Sequence, residues 1–199
     1  MNSLQDIIVS GARVKMLELF FSNTEEMFYV REITRRTKEE INAVRRELER
    51  LLGVGLLKSE ERGNRLYYSL NPRYVFFQEL QQIVVKNTGL GLKIRKLRRK
   101  LGTVAFVMFS GRFVRKKPVV QGEVDLLVIG DVVLAELDAL IKEEEKVLGR
   151  EINYAVFSEE EFTFRKQRRD PFIMDVLFGT RIMVLGDEDS FVERKQPML

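Results

Sequence analysis

The chain has no cysteine and no histidine among its 199 residues. Without thiols there is no disulfide framework, no thiolate nucleophile and no thiol sensor. Without imidazole there is no Ser-His-Asp or Cys-His machinery, and zinc loses its ordinary ligands. Any chemistry must therefore run on carboxylates, hydroxyls, lysine or arginine. Long apolar runs are also missing. No stretch approaches the roughly 20 residues needed to span a bilayer, and Met1-Asn2-Ser3-Leu4-Gln5-Asp6 lacks the basic and apolar regions of a secretory signal. A cytoplasmic protein with no membrane partner is the expectation.

What is present is ordinary in bulk and uneven in placement. Hydrophobic residues make up 45% of the chain, enough for a core. The net charge of +4 divides unequally: residues 1–100 carry 20 Lys+Arg against 12 Asp+Glu, and the remainder 14 against 18. A basic first half joined to a mildly acidic second half predicts two domains, the first suited to a polyanion.

The spacing of apolar residues predicts a helix over 11–21 with Val14, Leu17, Phe20 and Phe21 inward. Phe28-Tyr29-Val30 is a short β-prone lead into a second helix, Arg31 to Arg36, with Ile33 inward. Thr37 as N-cap with Glu40 three residues on predicts a capping box. The helix it opens has Ile41, Val44, Leu48, Leu51 and Leu52 on one face and stops at Gly53-Val54-Gly55. Leu56-Leu57-Lys58 and 65–70 then read as two strands around the polar turn 59–64, closed by Asn71-Pro72. A helix over about 74–86 follows, with Phe77, Leu80, Ile83 and Val84 inward. Asn87-Thr88-Gly89-Leu90-Gly91 reads as a break, and the basic helix Lys93 to Lys100 as a connector.

Beyond it, the apolar runs 104–109 and 124–129 predict buried strands. A helix over 133–148 has Leu134, Leu137, Ile141 and Leu148 inward. A strand at 152–157, a helix capped by Ser158 and Glu161, a short helix at 171–178 and a strand at 181–185 complete the pattern. The tail from Asp187 reads as polar and loose. The fold class is α+β, with domains at 1–88 and 103–199 and the connector at 89–102.

In the first half, the helix after Thr37 spends its apolar side on the core, so the other side is free. That side carries Lys38, Asn42, Arg45 and Arg46, with Glu39 and Glu49 at its edge. Arginine can bond two acceptors of guanine, and asparagine can pair with adenine. Arg31, Arg35 and Arg36 are placed for phosphates, which orient without reading sequence. Arg62, Asn64 and Arg65 sit at the hairpin tip, within reach of phosphates or a minor groove. A solvated amphipathic face, or a protein-interaction module, is the alternative. The stretches Arg31-Glu32-Ile33-Thr34, 44–51 and Gly55-Leu56-Leu57 resemble the ArsR-like winged-helix transcriptional regulators over about residues 10–86. The resemblance implies a recognition helix at 38–52 and a homodimer on double-stranded DNA. It does not extend to the cysteine and histidine metal sensors of that family, which are absent here.

In the second half, Val104 to Arg115 leads across a loop to Gly122-Glu123-Val124-Asp125. Two acids one residue apart on a strand would point the same way and can share a divalent metal. The arrangement resembles the minimal nucleotidyltransferases of the polymerase-beta superfamily, whose pattern is a strand, Gly-Ser-x-Ala-Arg-Gly, then Asp-x-Asp. With Gly111 on the first glycine, Glu123 and Asp125 fall on the two acids and Arg115 on the arginine. The resemblance implies magnesium and a nucleotide triphosphate as cofactors if the domain is active, with Gly111, Arg112, Arg115 and Lys116 toward the nucleotide. The departures are Arg112 at the serine, Lys116 at the last glycine, Glu123 for the first Asp, and Asn153 where a third acid would stand. Three outcomes stay open: a degenerate domain, a nucleotide effector site, or an active transferase acting on a small molecule, RNA end or partner protein. A homodimeric regulator reading operator DNA, with a non-catalytic second domain, is the leading expectation; an interaction module for a neighbouring protein is a third.

Overall fold

The computed structural model describes residues 8–118, 120 and 122–193; the expectations for Met1 to Asp6 and for the tail beyond Glu193 lie outside them. The chain is a mixed α/β protein of two compact units, 1–87 and 88–199. No described helix is long and apolar enough to cross a membrane.

The first unit runs α1 (Gly11–Phe21), β1 (Phe28–Tyr29), α2 (Val30–Thr37), α3 (Ile41–Gly53), β2 (Leu57–Arg62), β3 (Arg65–Leu70) and α4 (Phe77–Asn87). The predicted stripe Val44, Leu48 and Leu51 is buried against Leu17, Phe20, Phe21 and Ile33. Phe20 meets Phe28 edge-on at 5.5 Å, and Phe21 meets Phe77 at 5.3 Å. The hairpin is longer and its turn tighter than the sequence suggests. Arg62 pairs in register with Arg65 across Gly63-Asn64, and β1 adds a third strand alongside β3. Charged residues at 58–62 masked strand β2, because both faces of its outer half are exposed. In α4 only Val84 is fully buried, with Phe77 and Leu80 packed beside the core; Ile83 is 42% exposed, contrary to expectation.

One charge sits on the apolar side of α3. Glu47 is buried and accepts from Arg13 Nε at 2.8 Å, Ser10 Oγ at 3.2 Å and Arg50 Nη1 at 3.1 Å, tying α3 to the start of α1. Burial pushes its carboxyl up. The hydrogen bond and charge of Arg13, with Ser10 and Arg50, outweigh that and hold it below 4.5. A depressed folded value contributes stability that is complete above the unfolded value and is lost as pH falls through the folded one. The first unit is therefore expected to weaken on acidification below about pH 4.5. Glu47→Gln should flatten that slope while costing about 1–3 kcal/mol near neutrality. Urea denaturation at several pH values checks both, and an unaltered acid slope would count against this clamp.

The second unit runs α5 (Gly89–Leu97), β4 (Gly102–Ser110), α6 (Gly111–Val114), β5 (Leu126–Val132), α7 (Leu134–Leu148), β6 (Tyr154–Phe157), α8 (Glu159–Gln167), α9 (Pro171–Phe178), β7 (Arg181–Leu185) and α10 (Glu188–Val192). The sheet order is β6-β5-β4-β7, with β5 and β6 parallel and the other pairs antiparallel. The parallel pair requires the crossover that α7 supplies. Strand alternation sends Met108, Leu127, Ile129 and Met183 to one side, where Phe162 of α8, Ile173 of α9 and Phe191 of α10 cover them.

The second unit departs from the sequence expectations at several points. The basic helix is not a free connector: α5 packs on α7 and β7 within the second unit. Moving the boundary to residue 88 also redistributes the charge. Residues 1–87 hold 14 Lys+Arg against 12 Asp+Glu, and residues 88–199 hold 20 against 18, so neither unit is strongly basic. Leu134 begins α7 and is 56% exposed rather than inward. Strand β5 begins at Leu126, two residues later than its apolar run. The tail from Asp187 is not loose at its start: Asp187 caps α10 by accepting from Ser190 N at 2.8 Å, and Phe191 is buried. Ser158 caps α8 as predicted, accepting from Glu161 N at 3.0 Å, although the Glu161 carboxylate turns to Arg165 instead of closing the box.

Candidate functional site

Two places gather the residues singled out in the sequence. The first is the α2–α3 corner. Thr37 ends α2 rather than opening α3, because its hydroxyl donates to the Ile33 carbonyl at 2.8 Å. Lys38 then turns the chain in the left-handed region at φ 55°. Glu40 caps α3, accepting from Asn42 N at 2.9 Å and Ala43 N at 3.0 Å, and these donors hold its carboxyl below the ordinary value. The expected capping box is thus replaced by a glutamate cap, and Lys38 lies in the turn ahead of the helix rather than along its stripe. Glu39 is drawn away from the exposed face by Lys15, at 2.6 Å.

Asn42, Arg45 and Arg46 remain exposed on α3, with Glu49 beside them. Arg31 and Arg35 are exposed on α2. Among the described residues none of these five polar and cationic side chains, nor that of Lys38, has a hydrogen-bond or ion-pair partner. Arg36 differs. It pairs with Glu32 at 2.8 Å, approaches Glu26 at 3.8 Å and stacks over the Phe28 ring at 4.8 Å, so its guanidinium is already committed. At the hairpin tip Arg62 pairs with Glu60 at 2.9 Å, and Arg65 stacks over Tyr29 at 4.8 Å. Asn64 is exposed in the turn. The corner therefore offers an asparagine and two arginines on one helix, three more uncommitted cations around it, and a protruding hairpin. Such a surface can place guanidinium and amide groups against base edges and cations against phosphates.

The second place is the end of β4. The Ser110 hydroxyl accepts from Phe113 N at 3.2 Å and starts the single turn α6, while Gly111 N donates to Thr180 O at 2.7 Å. Beside it lies a cleft of about 300 Å³, lined by Gly111, Arg112, Glu123, Phe172, Asp175 and Thr180 among others. Glu123 and Asp125 precede β5, so strand alternation does not govern them. Glu123 lines the cleft and pairs with Arg112 at 2.6 Å. Asp125 is buried and bonded to Arg150 Nη1 at 2.9 Å and to Asn153 N at 3.3 Å. Asn153 stands one residue ahead of β6 rather than on it, and its side-chain amide donates to the Glu123 main-chain oxygen at 3.3 Å. Each carboxylate is neutralised by its own arginine, and no cluster of three metal-binding side chains exists among the described residues. This donor set does not fit a magnesium-bound triphosphate. Arg115 reaches Thr180 Oγ1 at 3.4 Å, and Lys116 holds a left-handed φ of 52°.

Sequence reasoning missed two partners, Arg150 beside the acidic pair and Glu47 under α3. Arg150 meets Asp125 only because the α7 crossover returns the chain beside β5, and nothing local announces it. Glu47 did leave a signal, a lone charge within the apolar stripe of α3. No protein-family model, curated protein or solved structure matches the chain.

Proposed function

We propose that the chain is a DNA-binding transcriptional regulator, with an ArsR-like winged helix-turn-helix in the first unit and a degenerate nucleotidyltransferase-fold domain in the second. The carrying observation is the exposed, uncommitted side of α3, Asn42, Arg45 and Arg46, between the Lys38 turn and the β2–β3 hairpin. In this assignment α3 lies in the major groove, Arg31, Arg35 and Lys38 meet phosphates, and the hairpin is the wing. A cytoplasmic homodimer would read two half-sites one helical turn apart.

Support for the nucleotidyltransferase parentage comes from the succession β4, one-turn helix, acidic pair, β5, α7 and parallel β6. The left-handed Lys116 adds to it, since that position would suit the glycine of the motif. Support for degeneracy comes from the Arg112–Glu123 and Arg150–Asp125 pairs, which occupy the carboxylates a metal would need. An anionic nucleotide acting as effector would meet Arg112 and Arg115 beside the cleft.

Selection of genomic fragments on the full-length protein tests the assignment. An enriched sequence is expected, and Arg45→Ala should remove discrimination at one position, worth about 1–3 kcal/mol for the preferred base. Arg35→Ala should instead weaken all duplexes evenly and leave the preference intact. Failure to enrich any sequence at moderate salt would sink the proposal.

A further inference from the structure

The segment Lys93-Ile94-Arg95-Lys96-Leu97-Arg98-Arg99-Lys100 places six cations in eight positions with no acid. Most of its apolar side is used: Leu90, Ile94 and Leu101 are buried and Leu97 is half-buried. Lys93 is neutralised by Glu143 at 2.8 Å and Glu144 at 3.0 Å on α7. The other end is different. Lys96, Arg98, Arg99 and Lys100 are exposed, and among the described residues their side chains have no hydrogen-bond or ion-pair partner.

The helical winding continues past Leu97, with Lys100 N donating to Leu97 O at 2.8 Å and Leu101 N to the same oxygen at 3.1 Å. Lys96 therefore has Arg99 and Lys100 as neighbours three and four residues on, and like charges at that spacing repel. One or two cations would satisfy the negative end of a helix. Four uncompensated ones crowded on a single turn suit a row of fixed anions that would relieve the repulsion. A basic helix inserts into an anionic membrane through a free apolar face; α5 has buried nearly all of its own, which leaves only the surface attraction of about 1 kcal/mol per cation. The phosphate backbone of a nucleic acid needs no such face.

We propose that Lys96, Arg98, Arg99 and Lys100 form a sequence-independent nucleic-acid backbone contact on the second unit. It does not depend on α3 or on the regulator assignment.

The test uses the full chain carrying Lys96→Gln, Arg98→Gln, Arg99→Gln and Lys100→Gln together, titrated with a random-sequence duplex at several salt concentrations. The slope of log affinity against log salt should become shallower by about 0.9 for each contact removed, up to about 3.6 in all. Between about 50 and 200 mM salt the parent should then lose on the order of a hundredfold more affinity than the variant. Arg45→Ala should shift the slope by no more than about 0.9. A charge-keeping variant, Arg98→Lys with Arg99→Lys, should restore the parent slope. The glutamine variant should melt within a few degrees of the parent, because the relieved repulsion offsets the lost charge at the helix end and only exposed groups change. If fragment selection yields no preferred sequence while the slope still falls, the operator-reading proposal fails and this one stands. An unchanged slope, no duplex binding by the parent, or capture by phosphatidylserine vesicles without duplex binding would each overturn it.

Discussion

Gly130→Ala is expected to cost the second unit about 3–4 kcal/mol, a large share of the about 5–15 kcal/mol that holds a typical domain folded. Gly130 sits within β5 at φ 141°, a region essentially closed to other residues. A methyl group there would lie 2.3 Å from Thr103 O, 2.9 Å from Val104 Cα and 3.0 Å from Ala105 N. All three are main-chain atoms of β4, at the point where the β4–β5 register shifts between Val104 and Phe106. The β4–β5 ladder runs on past this point, through Thr103↔Asp131 to Gly102↔Val132, so moving the strands apart would break those pairs. Segment-resolved hydrogen exchange over residues 102–185 checks this. Exchange protection equal to the parent's would mean that the bulge absorbs the methyl and that the two strands are looser than their geometry implies.

Phe191→Ala is the second large effect, expected at about 3–5 kcal/mol for a fully enclosed ring. Phe191 is 0% exposed. It stacks on Phe162 at 5.1 Å and meets Phe106 edge-on at 5.6 Å, with the Arg181 guanidinium 5.3 Å from its centroid. Lys166, itself buried, donates to the Phe191 carbonyl at 2.7 Å. Removing the ring opens a void among Met108, Ile129 and Ile173, which cannot close without shifting the sheet. Chemical denaturation measures the loss. A change below about 1 kcal/mol would show that α10 is dispensable to the core, against the geometry.

Long periodic features were legible in the sequence and single-residue decisions were not. The stripe Val44, Leu48, Leu51 and the unbroken run of β5 announce themselves because burial repeats many times along one element. Phe191 could not, since one aromatic in an acidic tail carries no period. Thr37 misled because a hydroxyl in its position can cap forward or bond back to the preceding turn, and only the tertiary burial of α2 decides for the second. Glu40 then caps α3 itself, a role usually taken by shorter side chains. The acidic pair was found, but its state was not. Alternation predicted converging carboxylates, whereas the chain has not yet entered β5 at Glu123, and each acid has a cation drawn from elsewhere.

The near-balance of charge in both units has a kinetic consequence. With 14 cations against 12 anions in one unit and 20 against 18 in the other, the field beyond about 8–10 Å of salt-screened water is weak. Local cationic faces act only inside that distance. A polyanion would not be drawn in from afar, so the encounter rate should stay near the unsteered range and respond little to ionic strength. Salt would act instead on how long the complex lasts once formed.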